Sequence, residues 1–146
     1  MAYAEMQGGR AVKVGIKLDG GPELEKALRD LSHALQGRIF IEAAMAAGEI
    51  VRQEASERSP RRTGALAKSI VVEVDKKRVP SVRVGPGKGG WYGKFVELGT
   101  EVRYTKKGAH RGQIEAHPFL APALEAKRAE ALRKFRDVVR ERLGAK

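Results

Sequence analysis

Large apolar anchors are scarce in this chain and unevenly placed, and that scarcity limits the folds open to it. Aromatic residues are 5% of the sequence. The only Trp, one of three Tyr and two of four Phe fall in two short stretches. One is Gly90-Trp91-Tyr92-Gly93-Lys94-Phe95-Val96-Glu97-Leu98-Gly99-Thr100, and the other is His117-Pro118-Phe119-Leu120-Ala121-Pro122-Ala123-Leu124-Glu125. Elsewhere, apart from Phe40 and Phe135, the core must come from Ala, Val, Leu and Ile, and small side chains let backbones approach closely.

The remaining pattern reads as an α+β domain, with a small antiparallel or mixed sheet against two N-terminal helices and one long C-terminal helix. Val12, Val14, Ile16 and Leu18 alternate with polar or small residues, the period of a strand with one wet face. After Asp19-Gly20-Gly21-Pro22, Leu24, Leu28, Leu31 and Leu35 recur at helical spacing, and Gly37 is expected to end that helix. A second, alanine-rich helix is predicted from Arg38 to about Glu57, with Phe40, Ala44, Ala47, Val51 and Ala55 on one stripe. Its close-approach partner is the sheet or a neighbouring helix. Ser59-Pro60-Arg61-Arg62-Thr63-Gly64 stops it. Ser69–Asp75 and Val82–Val84 then alternate as an antiparallel pair. Leu124, Ala131, Phe135 and Val138 define a C-terminal helix over about 119–143, with Pro118 in its first turn, where a missing N–H costs nothing.

A chain of 146 residues fits one domain (1–146), enough to bury roughly two-thirds of its unfolded surface. Residues 1–10 are expected to be flexible and 11–143 to form the core. Extended loops are expected at 85–94, including a flexible glycine-rich link, and at 101–116, the latter as a loop or loose hairpin. No apolar run is long enough to span a membrane, the N-terminus lacks the pattern of a secretory signal, and cysteine is absent.

Charge is strongly segregated. The net charge is +11, but residues 1–57 sum to −2, residues 58–111 to +10 and residues 112–146 to +3. A basic middle third attracts phosphate backbones or an acidic protein surface, and its pull should weaken with salt. Arg61, Arg62, Lys76, Lys77, Arg78, Lys106, Lys107 and Arg111 are its candidate interface or DNA-facing residues.

Catalytic chemistry finds little support. Gly85, Gly87 and Gly90 satisfy G-x-G-x-x-G, yet Trp91-Tyr92-Gly93 comes next where a phosphate-binding helix should open, and no βαβ unit surrounds them. Lys88 is followed by Gly89, not by the Ser or Thr of a P-loop. His110, Glu115 and His117 lack metal-ligand spacing, and no serine sits in a nucleophile turn. Glu97, between Val96 and Leu98, is the one carboxylate in an unusual setting; it is expected to pair with an arginine or to accept backbone N–H groups around Gly99-Thr100. The reading is a non-enzyme without cofactor or metal. Trp91, Tyr92 and Tyr104 beside Lys88, Lys94 and Arg103 are compatible with bases stacking on rings. A stand-alone basic nucleic-acid-binding domain therefore stays open as an alternative.

Taken in order, Leu24-Glu25-Lys26-Ala27-Leu28, the alanine-rich helix, Pro60-Arg61-Arg62-Thr63-Gly64-Ala65-Leu66-Ala67-Lys68-Ser69-Ile70, Val82-Arg83-Val84-Gly85-Pro86, Tyr92-Gly93-Lys94-Phe95-Val96-Glu97-Leu98-Gly99-Thr100 and Pro118-Phe119-Leu120-Ala121-Pro122-Ala123-Leu124 carry a resemblance. Over about residues 12–140 the chain resembles the long-tailed bacteriophage neck, or tail-completion, family typified by the tenth gene product of phage HK ninety-seven. It departs at Leu98, where an aromatic is common in the family, a change expected to loosen that packing layer. The resemblance implies a structural virion protein, made in the host cytoplasm and built into the head–tail junction around the DNA channel. It implies a cyclic homo-oligomer, six- or twelve-fold, touching head-closure or connector proteins and tail-terminator or tail-tube proteins. A tail-terminator ring is the nearest alternative. Thr63, Gly64, Trp91, Tyr92, Phe95, Glu97, Gly99, Thr100, Pro118, Phe119 and Pro122 are the expected shape-determining and assembly residues. Whether the basic third faces a neighbouring subunit or packaged DNA is left open by the sequence.

Overall fold

A computed structural model describes residues 2–5, 13–16, 22, 26, 29–30, 33–75 and 81–144. Its sheet contains strands β1 (Ala2–Glu5), β2 (Lys13–Ile16), β3 (Ile70–Val74) and β4 (Val82–Pro86) in the order β1-β2-β4-β3, every neighbouring pair antiparallel. The expected pairing of the two valine-rich runs is present, with Val72 opposite Val84 and Val74 opposite Val82. Asp75 closes this hairpin. Its N–H donates to the Ser81 carbonyl at 2.9 Å and its buried carboxylate meets Arg83 at 3.2 Å. Residues 1–10, expected as a flexible lead, include β1, whose backbone pairs with the outer edge of β2 from Ala2 opposite Ile16 to Glu5 opposite Lys13.

Helix α1 (His33–Arg58) occupies the middle of the molecule, packed against β3 and β4 and also against the long C-terminal helix α4 (Leu120–Leu143). A helix covered on two sides needs more than one apolar stripe, and its small residues serve both. Towards the sheet, a Cβ on Gly48 would lie 2.8 Å from a Val72 methyl, so the helix sits as near as a bare backbone allows. Towards α4, Phe40 meets Phe135 edge-on at 5.2 Å. Between the two partners Ile39, Ala43, Ala44, Ala47, Val51 and Ala55 of the helix are buried. The expectation of the sheet or a helix as partner resolves to both.

Gly37 does not end a helix. α1 runs through it, and no atom lies within 4 Å of where its side chain would be. A mid-helix glycine costs roughly 1 kcal/mol relative to alanine, a penalty that burial of Ile39 and Ala43 just beyond readily outweighs. Of the expected leucine-rich first helix, only Pro22, Lys26 and Arg29 are seen as helical; Leu24, Leu28 and Leu31 lie outside the described residues. Leu35, expected on that apolar stripe, instead lies exposed in the opening of α1.

The C-terminal helix matches its expected span to within a residue. Leu120, Ala123, Leu124, Ala131, Phe135 and Val139 are buried along one side. Gly144 ends it in the left-handed conformation, its N–H donating to the carbonyls of Arg140 and Glu141. An exposed pair, Arg142 with Glu42, ties this end to α1.

Candidate functional site

The aromatic stretch is not a loop. After β4, Lys88–Gly90 form a 3-10 turn, and Gly93–Leu98 form a short helix, α3. The segment 85–94, expected as an extended loop, is therefore mostly regular structure. The short helix α2 (Ala65–Ser69) explains part of this order. The Ser69 carbonyl accepts the Gly87 N–H at 2.8 Å. A side chain at Gly90 would collide with Ser69 and Pro86, and one at Gly93 with Pro86 and Leu66. Of the G-x-G-x-x-G glycines, Gly87 and Gly90 are thus close-packing positions, and Gly93 beyond them is a third, so strand, turn and helix interlock.

One carboxylate joins α3 to the start of the C-terminal helix. Glu97, 4% exposed, accepts three backbone N–H bonds from the first turn of α4. Phe119 and Leu120 donate to Oε2 at 2.7 and 2.9 Å, and Ala121 donates to Oε1 at 3.1 Å. The first internal bond of α4 runs from the Ala123 N–H to the Phe119 carbonyl. Any helix begins with four donors lacking intrahelical partners. Here Glu97 takes three of them, and the fourth position is Pro122, which has no N–H to satisfy. Carboxylate charge is also favoured at the positive end of a helix. The expected backbone-acceptor role for Glu97 is correct in kind, but the amides are those of residues 119–121 rather than of Gly99-Thr100. The proline placed for its missing N–H also differs: Pro118 lies before the helix, and Pro122 occupies the position where that absence matters.

Three more bonds zip the end of α3 to the chain entering α4. The Val96 carbonyl accepts the His117 N–H at 2.7 Å, the Ile114 carbonyl accepts the Thr100 N–H at 2.9 Å, and Thr100 Oγ1 accepts the Ile114 N–H at 3.0 Å. Between them Gly99 adopts φ 70°, ψ −175°, a region essentially reserved for glycine. A side chain there would lie 2.9 Å from the Ile114 carbonyl oxygen and 3.0 Å from the Ala116 nitrogen. Gly99→Ala should therefore cost about 2–3 kcal/mol. Chemical denaturation measures this, and a wild-type midpoint in the variant would contradict the assignment.

The clamp holds one apolar ridge in solvent. Trp91 is 70% exposed, Leu98 53% and Val102 42%. Phe95 is half-buried, with Trp91 edge-on to it at 6.3 Å and to Tyr92 at 6.0 Å. Trp91, Phe95 and Leu98 recur at spacings of four and three, so they share one side of the α3 turn. Leu98 thus belongs to a surface, and no packing layer is loosened by the lack of an aromatic there. Tyr92 packs against the core and Phe119 is fully buried.

The remaining candidates are dispersed. Thr63 and Gly64 lie at the corner between α1 and α2. Gly64 takes φ 71°, and Thr63 Oγ1 accepts the Ala65 N–H at 3.3 Å. Arg61 and Arg62 are exposed beside them. Lys106, Lys107 and Arg111 are exposed on the 101–116 segment, which is a loose hairpin with a Tyr104–His110 bridge. Lys76, Lys77 and Arg78 lie outside the described residues. His110, a metal-ligand type by chemistry, uses Nδ1 to accept the Gly112 N–H at 3.2 Å.

No curated protein and no solved structure matches the chain significantly. A protein-family profile does, over residues 23–99, and it is described as "Bacteriophage HK97-gp10, putative tail-component". The match ends at Gly99, leaving the His117–Glu125 stretch outside it, although Glu97 ties the two physically. Since the profile covers more than half of the sequence, the chain belongs to the HK97-gp10-like family of bacteriophage tail components.

Proposed function

We propose that this tail component is a ring-forming subunit of the head–tail junction, joining the DNA-filled head to the tail around the channel through which DNA leaves. Family membership places the protein in the virion, among other structural proteins of the phage. The finer reading rests chiefly on the ridge that exposed Trp91 and Leu98 form about half-buried Phe95. A chain this poor in aromatics leaves its only tryptophan in solvent, and exposed apolar clusters of this kind serve as contact surfaces. Tryptophan is also enriched among the residues that dominate binding energy.

A ring closes through heterologous contacts, so each subunit presents a ridge and, elsewhere, the surface that receives its neighbour's ridge. The clamp suits that role, because a contact patch on a loose loop would lose affinity to ordering on assembly. Six or twelve copies would surround the channel, with connector or head-closure proteins on one side and terminator or tube proteins on the other. The function is mechanical, and no step of bond chemistry is assigned to any residue.

Phage particles assembled without this protein test the reading. Electron microscopy is expected to show filled heads and separate tails of normal length. Tails of irregular length would instead assign the protein to tail termination, and normal joined particles would refute a structural role at the junction.

A further inference from the structure

The hairpin at 101–116 carries a charge arrangement that the junction reading does not use. Between Arg103 and Arg111 there are four cations, Arg103, Lys106, Lys107 and Arg111, and no carboxylate. All four are exposed, and among the described residues none takes part in an ion pair. Carboxylates do pair elsewhere, with Arg52, Arg58, Arg83, Lys127 and Arg142. Other exposed cations, Arg38, Arg133, Lys134 and Arg140 among them, also lack an ion pair among the described residues, so what sets the ribbon apart is that its four are crowded into nine residues with no carboxylate between them.

The backbone brings these cations together. The Arg103 N–H donates to the Gly112 carbonyl at 3.1 Å, and the Arg103 carbonyl accepts the Arg111 N–H at 2.7 Å. The Thr105 N–H donates to the Ala109 carbonyl at 2.8 Å, and Gly108 turns the tip at φ 82°. Arg103 and Arg111 thus stand across from each other, with Lys106 and Lys107 at the turn. Like charges directly opposite on paired strands repel, so the ribbon tolerates a repulsion that a polyanion would relieve. Its root is fixed by the Thr100–Ile114 bonds, so the cations are carried on a pinned arm.

We propose that the 103–111 ribbon binds the phosphate backbone of duplex DNA without sequence preference. The choice of DNA as the polyanion rests on the junction reading, since the channel there carries DNA. A two-stranded ribbon also fits the width of the major groove. Lysine and arginine supply the phosphate contacts, which position a protein but do not read bases. An acidic protein partner is disfavoured because the ribbon pairs four charges with only Tyr104 as a large exposed ring, whereas the core of a protein interface is depleted in charge.

The test uses the full chain and a labelled duplex of random sequence, with binding followed across a range of salt. One variant combines Arg103→Ala, Lys106→Ala, Lys107→Ala and Arg111→Ala. A control removes four cations from the helices: Arg38→Ala, Arg133→Ala, Lys134→Ala and Arg140→Ala. Wild type and control are expected to bind with the same salt slope. The ribbon variant should lose about three to four from the slope of log K against log salt, roughly 0.9 for each phosphate contact. Both should melt with wild type, since none of the eight side chains is buried. Three results would each overturn the proposal: no duplex binding by wild type at low salt, equal slopes in wild type and ribbon variant, or equal slope losses in ribbon variant and control. Particle incorporation separates the two readings. Wild type present at the junction with an unaltered slope in the ribbon variant sinks only the DNA contact, whereas wild type missing from the junction sinks the placement.

Discussion

Replacing Glu97 by alanine is expected to lower stability by about 3–5 kcal/mol, because it strands buried donors rather than merely deleting a bond. The Phe119 and Leu120 amides belong to buried residues and have no other acceptor within the helix, and Ala121 is half-buried. Against a total of about 5–15 kcal/mol for an ordinary domain, this is a large fraction, equivalent to roughly 10–20 °C in melting temperature. Glu97→Gln discriminates the cause. Glutamine keeps one oxygen, enough for the two bonds now made by Oε2, but turns an NH2 towards the Ala121 N–H. It should lose about 1–3 kcal/mol, between wild type and alanine. Thermal and chemical unfolding of both variants provide the measurement. If alanine and wild type unfold alike, the carboxylate does not hold the start of α4.

Trp91 should behave in the opposite way. At 70% exposure its replacement by alanine removes little folded-state contact, so stability is expected to change by no more than about 0.5 kcal/mol. Assembly should fail. A tryptophan at the centre of an interface commonly contributes about 2–4 kcal/mol, a loss of at least roughly thirtyfold in association for each contact. In the proposed ring the same defect would recur at every joint, so incorporation of the variant into particles should fall close to zero. Leu35→Ala, an exposed leucine on another element, serves as the control and should incorporate normally. Soluble, folded Trp91→Ala protein that joins particles as well as wild type would remove the ridge from the assembly surface.

Periodic elements were the readable part of this sequence, because burial imposes a repeat that local composition displays. Leu124, Ala131 and Phe135 announced the C-terminal helix, and Val72 with Val84 announced the sheet pair. Gly37 misled for a definite reason: glycine lowers helix propensity locally, but the decision lay with burial further along α1. The glycines at 87–93 were misread in a related way. A glycine run shows only that side chains are missing, and at Gly90 and Gly93 the side chains of Ser69, Pro86 and Leu66 fill that space and order the segment. Glu97 revealed its oddity through its apolar neighbours but not its partners, which lie more than twenty residues away. Val96-Glu97-Leu98 and Phe119-Leu120-Ala121-Pro122 become one statement only when the chain between them is folded. Exposure of Trp91 was unreadable as well, since a lone tryptophan in an aromatic-poor chain fits a core equally well.

The saturation of α4's opening turn also decides how this protein can handle polyanions. A bare helix start is a ready receptor for phosphate, offering amides and a favourable dipole at no cost in side-chain charge. In this chain an internal acid already fills that receptor, and a proline deletes its last free donor. A nucleic acid brought against α4 would therefore meet no anion hole at its head. At this end of the molecule a grip on the DNA of the proposed junction would have to come from cationic side chains, whose hold weakens as ions are added and which would let a threaded polymer slide past rather than lock in place.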